Sequence, residues 1–344
     1  MIGLDRITLN NIKLKSINIQ LIELLGGKVI VSKRNVGYRT IDQDSGEVIY
    51  LSEFKMNIEG FGWCDKSYAI QLQLNKDNGY EEWTVSAGIN VPKLYYANNL
   101  NNIHKQDQIQ GIPWVLEGYM KERGIEVDLT NATVTSLEVN YNIKDKEFYK
   151  TMTVINEAWK HSGQKVFVAD TKDGIESLKL KLPTREIKVY NKVKQLQDVG
   201  YKTLGENDVT RIEVSSNHIT TIKSVLGGNK LTDLIENYPK LVVFYKNTVK
   251  SSIYKPFKKY CNDNVKIMYE LLKDNKASKV LDIMGLNRVV DLDLYKEAIV
   301  KYYKSSGKRN PYNIIKNNID RVRDKENYIG NIQRIENFVR EMEK

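Results

Sequence analysis

A tyrosine, two glutamates, an arginine and a lysine fall in three short runs of alternating polarity in this 344-residue chain. Glu138 lies in "TSLEVNYN", Tyr190 and Lys192 in "TREIKVYNKVKQLQD", and Arg211 and Glu213 in "VTRIEVSS". Two carboxylates can hold a hard divalent cation such as Mg2+ or Mn2+, with water and a phosphate oxygen completing the shell. The metal, with Arg211 or Lys192, would withdraw charge from a scissile phosphate. A tyrosine hydroxyl in that positive field can attack phosphorus. The products would be a phosphotyrosine linkage and a free 3′-hydroxyl. Because one phosphodiester replaces another, the step is reversible and needs no ATP. The competing account is plain: Glu138 and Glu213 are solvated strand carboxylates, Arg211 pairs with one of them, and Tyr190 is a half-buried strand tyrosine.

Strands must position this set, and side chains alternate along a strand. Glu138 shares a face with Ser136, Asn140 and Asn142, while Leu137, Val139 and Tyr141 take the other. Lys188 and Tyr190 oppose Ile187 and Val189; Arg211 and Glu213 oppose Ile212 and Val214. If the three strands share a sheet with apolar sides together, one surface gathers Glu138, Glu213, Tyr190, Lys188 and Arg211. After Tyr190 the Lys/Gln-rich run reads as the start of a helix.

Around these runs, residues 1–95 read as short strands separated by "LGGK", "DQDSGE" and "NKDNGY". A helical pattern spans about Leu100 to Arg123, with Gly111 and Pro113 predicting a break inside it. Another helix is expected around "KEFYKTMTVINEAWKHSG", then strands to "VTRIEVSS". From about residue 217 the apolar spacing becomes three and four residues throughout. The expected class is α+β followed by an all-helical region, divided as 1–245 and 246–344.

Charge follows that division. Net charge is +10, and residues 241–344 hold 22 Lys+Arg against 13 Asp+Glu, whereas the rest is nearly balanced at 31 against 30. A basic excess confined to the helical region predicts a polyanionic partner, nucleic acid above all; a generic lysine-rich solvated surface is the alternative. Within it, "KASKVLDIMGLNRVVDL" has the pattern of a helix-turn-helix. No apolar run approaches the ~18 residues that span a membrane, and "MIGLDRITLNNIKLKS" lacks a signal-peptide layout. Cys64 and Cys261 lie far apart, without the spacing of a disulfide framework or zinc site. A cytoplasmic protein without a membrane partner is expected. His104, His161 and His218 form no H-x-H pair, so a histidine-ligated metal is not expected.

The order "TSLEVNYN", "EIKVYNKVKQLQ", "TRIEVSS" resembles the replication initiators of rolling-circle plasmids (Rep-trans type) and the replication proteins of filamentous phages (gene II/X class). "WTVSAGINVPKLYYANNLNNI" is similar to the phage pattern too. The resemblance covers roughly residues 80–220 well, residues 1–80 loosely, and the helical tail hardly at all. It implies an HUH-endonuclease-like fold, an antiparallel sheet flanked by helices. It places the DNA-nicking nucleophile on Tyr190, the motif lysine on Lys192, and the metal-binding acids on Glu138 and Glu213. Implied with these are nicking of one strand at a double-stranded origin, a 3′-hydroxyl that primes replication, and rejoining of the displaced single strand. A host helicase as partner and a monomeric or homodimeric state follow from the same resemblance. Two features depart from the family: Glu138 stands where relatives often have Asp, and Gln195 stands where many have an acid. Tyr201 is a rival nucleophile without the Y-x-K context. Two other functions stay open, a mobilisation relaxase with the same chemistry and a non-enzymatic DNA-binding regulator.

Overall fold

A computed structural model of the chain describes residues 1–26, 28–41, 48–59, 70–77, 84–96, 101–145, 147–171, 174–198, 209–287, 292–308, 311–320 and 330–344. The order is β1 (Ile2–Ile17), α1 (Ile19–Leu24), β2 (Lys28–Ile41), β3 (Val48–Glu59), β4 (Ile70–Asp77), β5 (Thr84–Asn90), α2 (Val91–Tyr96), α3 (Gln106–Lys121), β6 (Ile125–Asp128) and β7 (Thr133–Ile143). Then come α4 (Thr151–His161), β8 (Val166–Thr171), β9 (Gly174–Leu182), β10 (Arg185–Asn191), α5 (Lys192–Asp198) and β11 (Thr210–Ser216). The regular elements described after β11 are all helical: α6 (Ile219–Leu226), α7 (Leu231–Glu236), α8 (Tyr238–Val249), α9 (Lys255–Asp274), α10 (Ala277–Asn287), α11 (Leu292–Ser305), α12 (Tyr312–Ile319) and α13 (Asn331–Glu343). The class is α+β, as the sequence predicts.

Strands follow the order β2-β3-β4-β5-β1-β7 in the first part of the chain, with β6 paired to β1, and β11-β10-β9-β8 in the second. By compactness the chain divides into Met1–Tyr141 with Ser215–Phe244, and Asn142–Val214 with Tyr245–Lys344. The C-terminal helices therefore group with residues 142–214, a different partition from the break at residue 245 that the change of composition predicts.

In the first unit β1 is central. It pairs antiparallel with β5, β6 and β7. Leu4, Ile7, Leu9 and Ile12 are fully buried with Val85 and Ile89 of β5 and Val134 and Val139 of β7. Three register shifts, two against β7 and one against β5, interrupt the alternation. Leu4 faces Val139 and Arg6 faces Glu138, so Asp5 is an extra residue on β1, a bulge that re-aims one side chain. The shift against β5 contains Asn11, whose φ of 57° is left-handed, a conformation asparagine tolerates. The break expected at Gly111 and Pro113 is absent: α3 runs unbroken through both. Ile109, Ile112, Leu116 and Met120 form a buried stripe along it. Burying four such side chains at about 1.5–3 kcal/mol each outweighs the roughly 3 kcal/mol cost of an interior proline.

The second unit places strands β8 to β10 as antiparallel neighbours, with Val166 opposite Leu180 and Ile187 opposite Leu180 on its other edge. Its long helix α9 packs against α4 and α11. Pro256 lies just inside α9, and α8 passes into α9 through a π-helical turn at Lys250–Tyr254 with no loop. The reason lies in one carbonyl. Proline has no N–H to donate four residues back, which would leave the oxygen of Ser252 without its helical partner. The indole Nε1–H of Trp159, on α4, donates to that oxygen instead.

Candidate active site

Strand β10 buries Ile187 and Val189 on one side and carries Lys188 and Tyr190 on the other. Tyr190 is only 8% exposed, and its hydroxyl donates to Oε1 of Glu213 on β11. Arg211, two residues before Glu213, is wholly buried. Its Nε donates to Oδ1 of Asn142 at 2.8 Å, and its Nη1 lies 3.9 Å from Glu213 Oε1. Lys188 Nζ approaches the other oxygen, Oε2, at 3.9 Å, and Glu186 Oε1 at 3.6 Å. Glu213 thus accepts from the tyrosine while two cations flank it.

Lys192 opens α5 directly after the strand. Its N–H donates to the carbonyl of Val209 at 2.7 Å, which holds the strand-to-helix turn, and Asn191 Oδ1 caps α5 by accepting from the N–H of Lys194 at 3.0 Å. The Lys192 side chain is buried, with Nζ 5.7 Å from the centroid of the Tyr190 ring. Gln195 accepts a hydrogen bond from Lys192 Nζ at 2.8 Å. Behind β11, the hydroxyl of Tyr245 donates to the carbonyl of Ile212 at 3.0 Å and fixes the strand from its apolar side.

The polar faces that alternation predicts are therefore not a solvated surface. Arg211, Glu213, Lys192 and Tyr190 are all buried, and Glu138 is half-buried. Burying charges costs several kcal/mol per ion before pairing, so such a group contributes little to stability, and clusters of this kind concentrate at functional sites.

One carboxylate oxygen of Asp5 lies within 4.8 Å of one of Glu138. Two carboxylates that close repel one another unless a cation or a proton lies between them. Their donors are hard oxygens, the kind that suit Mg2+, Mn2+ or Ca2+, so the pair can bind a metal ion. Asp5 was not among the residues picked out by sequence. It shares the parity of Ile7 and Leu9 in "GLDRITL", so the one available signal was a carboxylate at a core-facing position of a strand.

The remaining candidates lie elsewhere. His161 Nε2 pairs with Asp263 Oδ2 at 2.7 Å, a bond that holds the Asp263 carboxyl below its ordinary value, and the imidazole packs edge-on to Tyr260. His104 Nδ1 is 3.1 Å from the carbonyl of Asn102, and His218 precedes α6. Tyr201 lies outside the described residues, as do residues 288–291 of the helix-turn-helix pattern.

No protein-family model matches the sequence, and no curated protein matches it. Among solved structures, the chain is similar to a rolling circle replication initiator protein from Geobacillus stearothermophilus, at 11% identity over 65% of this chain and 80% of that one, with a TM-score of 0.31. At that level the likeness carries no functional argument. No described helix is long and apolar enough to cross a membrane.

Proposed function

We propose that the chain is a metal-dependent DNA nickase and strand transferase with Tyr190 as nucleophile, initiating rolling-circle replication at a plasmid or phage origin. The observation that carries this reading is the hydroxyl of Tyr190 donating to Glu213, whose carboxylate is flanked by the buried Arg211 and the half-exposed Lys188. A strand tyrosine kept for packing needs no such neighbours.

In this reading the Tyr190 oxygen bonds to the scissile phosphorus and its proton passes to Glu213. The bond from phosphorus to the 3′-oxygen breaks, leaving a 5′-phosphotyrosyl link and, once the leaving oxygen is protonated, a free 3′-hydroxyl. Reversal of the same exchange rejoins the strand. Lys192, beside the phenol ring, supplies positive charge at the attacking oxygen; Arg211 orients Glu213 and balances its charge. Asp5, Glu138 and Glu213 would hold the metal, which when bound withdraws charge from the phosphate. The basic helices after residue 245 supply the grip on duplex origin DNA, by phosphate contacts.

The test uses supercoiled plasmid carrying the DNA that flanks this gene. Wild type is expected to nick it in Mg2+ or Mn2+ and to leave a protein–DNA adduct that mass spectrometry maps to Tyr190. Tyr190→Phe should lose nicking on the order of 10³-fold or more and keep duplex binding; Glu138→Ala and Glu213→Ala should lose metal-dependent cleavage and keep binding. Unchanged nicking by Tyr190→Phe, or an adduct on another residue, sinks the assignment. Duplex binding with no nicking in any metal would point to the binding-only regulator.

A further inference from the structure

We infer that the C-terminal helices carry a second nucleic-acid site, a pocket that takes one unpaired nucleotide of a single strand, remote in sequence from Tyr190 and independent of its chemistry. The pocket lies among the end of α9, the start of α10, the end of α11 and α12, and has a volume of about 600 Å³. That is within the roughly 300–1,000 Å³ of small-ligand sites and roomy enough for a nucleotide.

Its lining divides into two chemistries. Tyr302 and Tyr303 form an aromatic wall, with ring centroids 5.9 Å apart and planes at 75°, and Tyr269 buttresses Tyr302 from behind at 5.9 Å. Both tyrosines are half-buried, so each keeps some surface for a partner. Lysines 273, 276 and 308 supply positive charge against one carboxylate, Asp274. Lys273 is engaged with Glu270 at 2.6 Å. Lys276 and Lys308 make no ion pair with a carboxylate among the described residues. Lys308 Nζ instead lies 5.1 Å from the Tyr302 centroid and 5.8 Å from that of Tyr303. The floor is fixed by polar bonds: Asn318 Nδ2 donates to the hydroxyl of Tyr295, which donates to the carbonyl of Ala277, each at 2.9 Å. Burial pushes the Tyr295 phenol up to about 12, so it stays a donor at any working pH.

An aromatic wall beside unpaired lysines is the arrangement that binds an unstacked base followed by its phosphate. A planar base stacks on a tyrosine ring whatever its identity, and Lys276 and Lys308 then meet the phosphate. A base held in a duplex cannot enter a pocket, so the site discriminates single from double strand. In a chain that displaces a strand, such a site would hold that strand away from the duplex.

The test is equilibrium binding of a fluorescein-labelled, mixed-sequence single-stranded oligodeoxynucleotide to the full chain in EDTA, where no cleavage contributes. Tyr303→Ala should weaken binding about tenfold, in line with the loss of one stacked base, and Tyr303→Phe should bind like wild type. Lys276→Gln with Lys308→Gln should weaken binding and flatten its salt dependence. Neither variant should change affinity for the same sequence as a duplex, and that duplex affinity also reports that the variants fold. Wild-type single-strand affinity in both Tyr303→Ala and the double lysine variant overturns the proposal. So does an equal loss for duplex, which would make these lysines ordinary duplex contacts, or binding of free dAMP as tight as the strand, which would make this a mononucleotide site. Tyr190→Phe should bind the strand normally, so failure here and failure of the nicking reading are separate results.

Discussion

At Tyr190 the hydrogen bond to Glu213 follows from strand parity. Tyr190 and Glu213 each lie on the polar side of adjacent strands, and Arg211, Lys188 and Lys192 follow from the same alternation and the helix start behind it. Their pairing was legible in the sequence for that reason. Asp5 was not, because a bulge breaks alternation and nothing in "GLDRIT" marks where one residue too many will fall. Lys192 offers the sharpest residue-level test. It is buried, it hydrogen-bonds Gln195, and its charge faces the Tyr190 ring. Lys192→Met keeps an aliphatic stem of similar length and removes the charge together with the hydrogen bond to Gln195. The single-turnover nicking rate should fall on the order of 10²-fold, as for loss of one charge-stabilising donor, while DNA affinity measured without metal stays as in wild type. Equal rates would show that Lys192 only packs.

At the scale of elements, periodicity predicts the helices, whereas the break predicted at Gly111 and Pro113 does not occur. Pro113 and Pro256 both sit inside helical runs, because buried stripes and a substitute donor offset what the proline removes. The Trp159 bond to the Ser252 carbonyl makes this measurable. Trp159→Phe leaves that buried oxygen without its donor and should destabilise the chain by about 1–3 kcal/mol for the bond, beyond the smaller packing loss. In a Pro256→Ala background the new N–H can donate to Ser252 in its helical register, so the same Trp159→Phe change should cost less. A urea-denaturation double-mutant cycle reads the difference. Purely additive costs would mean the indole and the proline are not coupled.

On the scale of the whole molecule, composition puts the basic excess in residues 241–344 but cannot say which spatial unit they join. The helical region packs with residues 142–214, which include Tyr190, Arg211 and Glu213. Charge is a sum over sequence, whereas compactness depends on contacts such as Trp159 to Ser252 and His161 to Asp263, made between residues about a hundred positions apart. What the charge does supply is a stripe. On α9, Lys255, Lys259, Lys266 and Lys273 are exposed at spacings of four and seven residues, so they fall on one face along about 27 Å of helix. Each phosphate that such a lysine neutralises releases counterions and adds about 0.9 to the slope of log affinity against log salt. Changing Lys255, Lys259 and Lys266 together to Gln should therefore weaken duplex binding at low salt and flatten that slope by roughly 2–3, without altering single-turnover nicking of DNA already bound at saturation. An unchanged slope would mean that duplex DNA lies against another face, and that the excess charge of this region serves solubility rather than the origin.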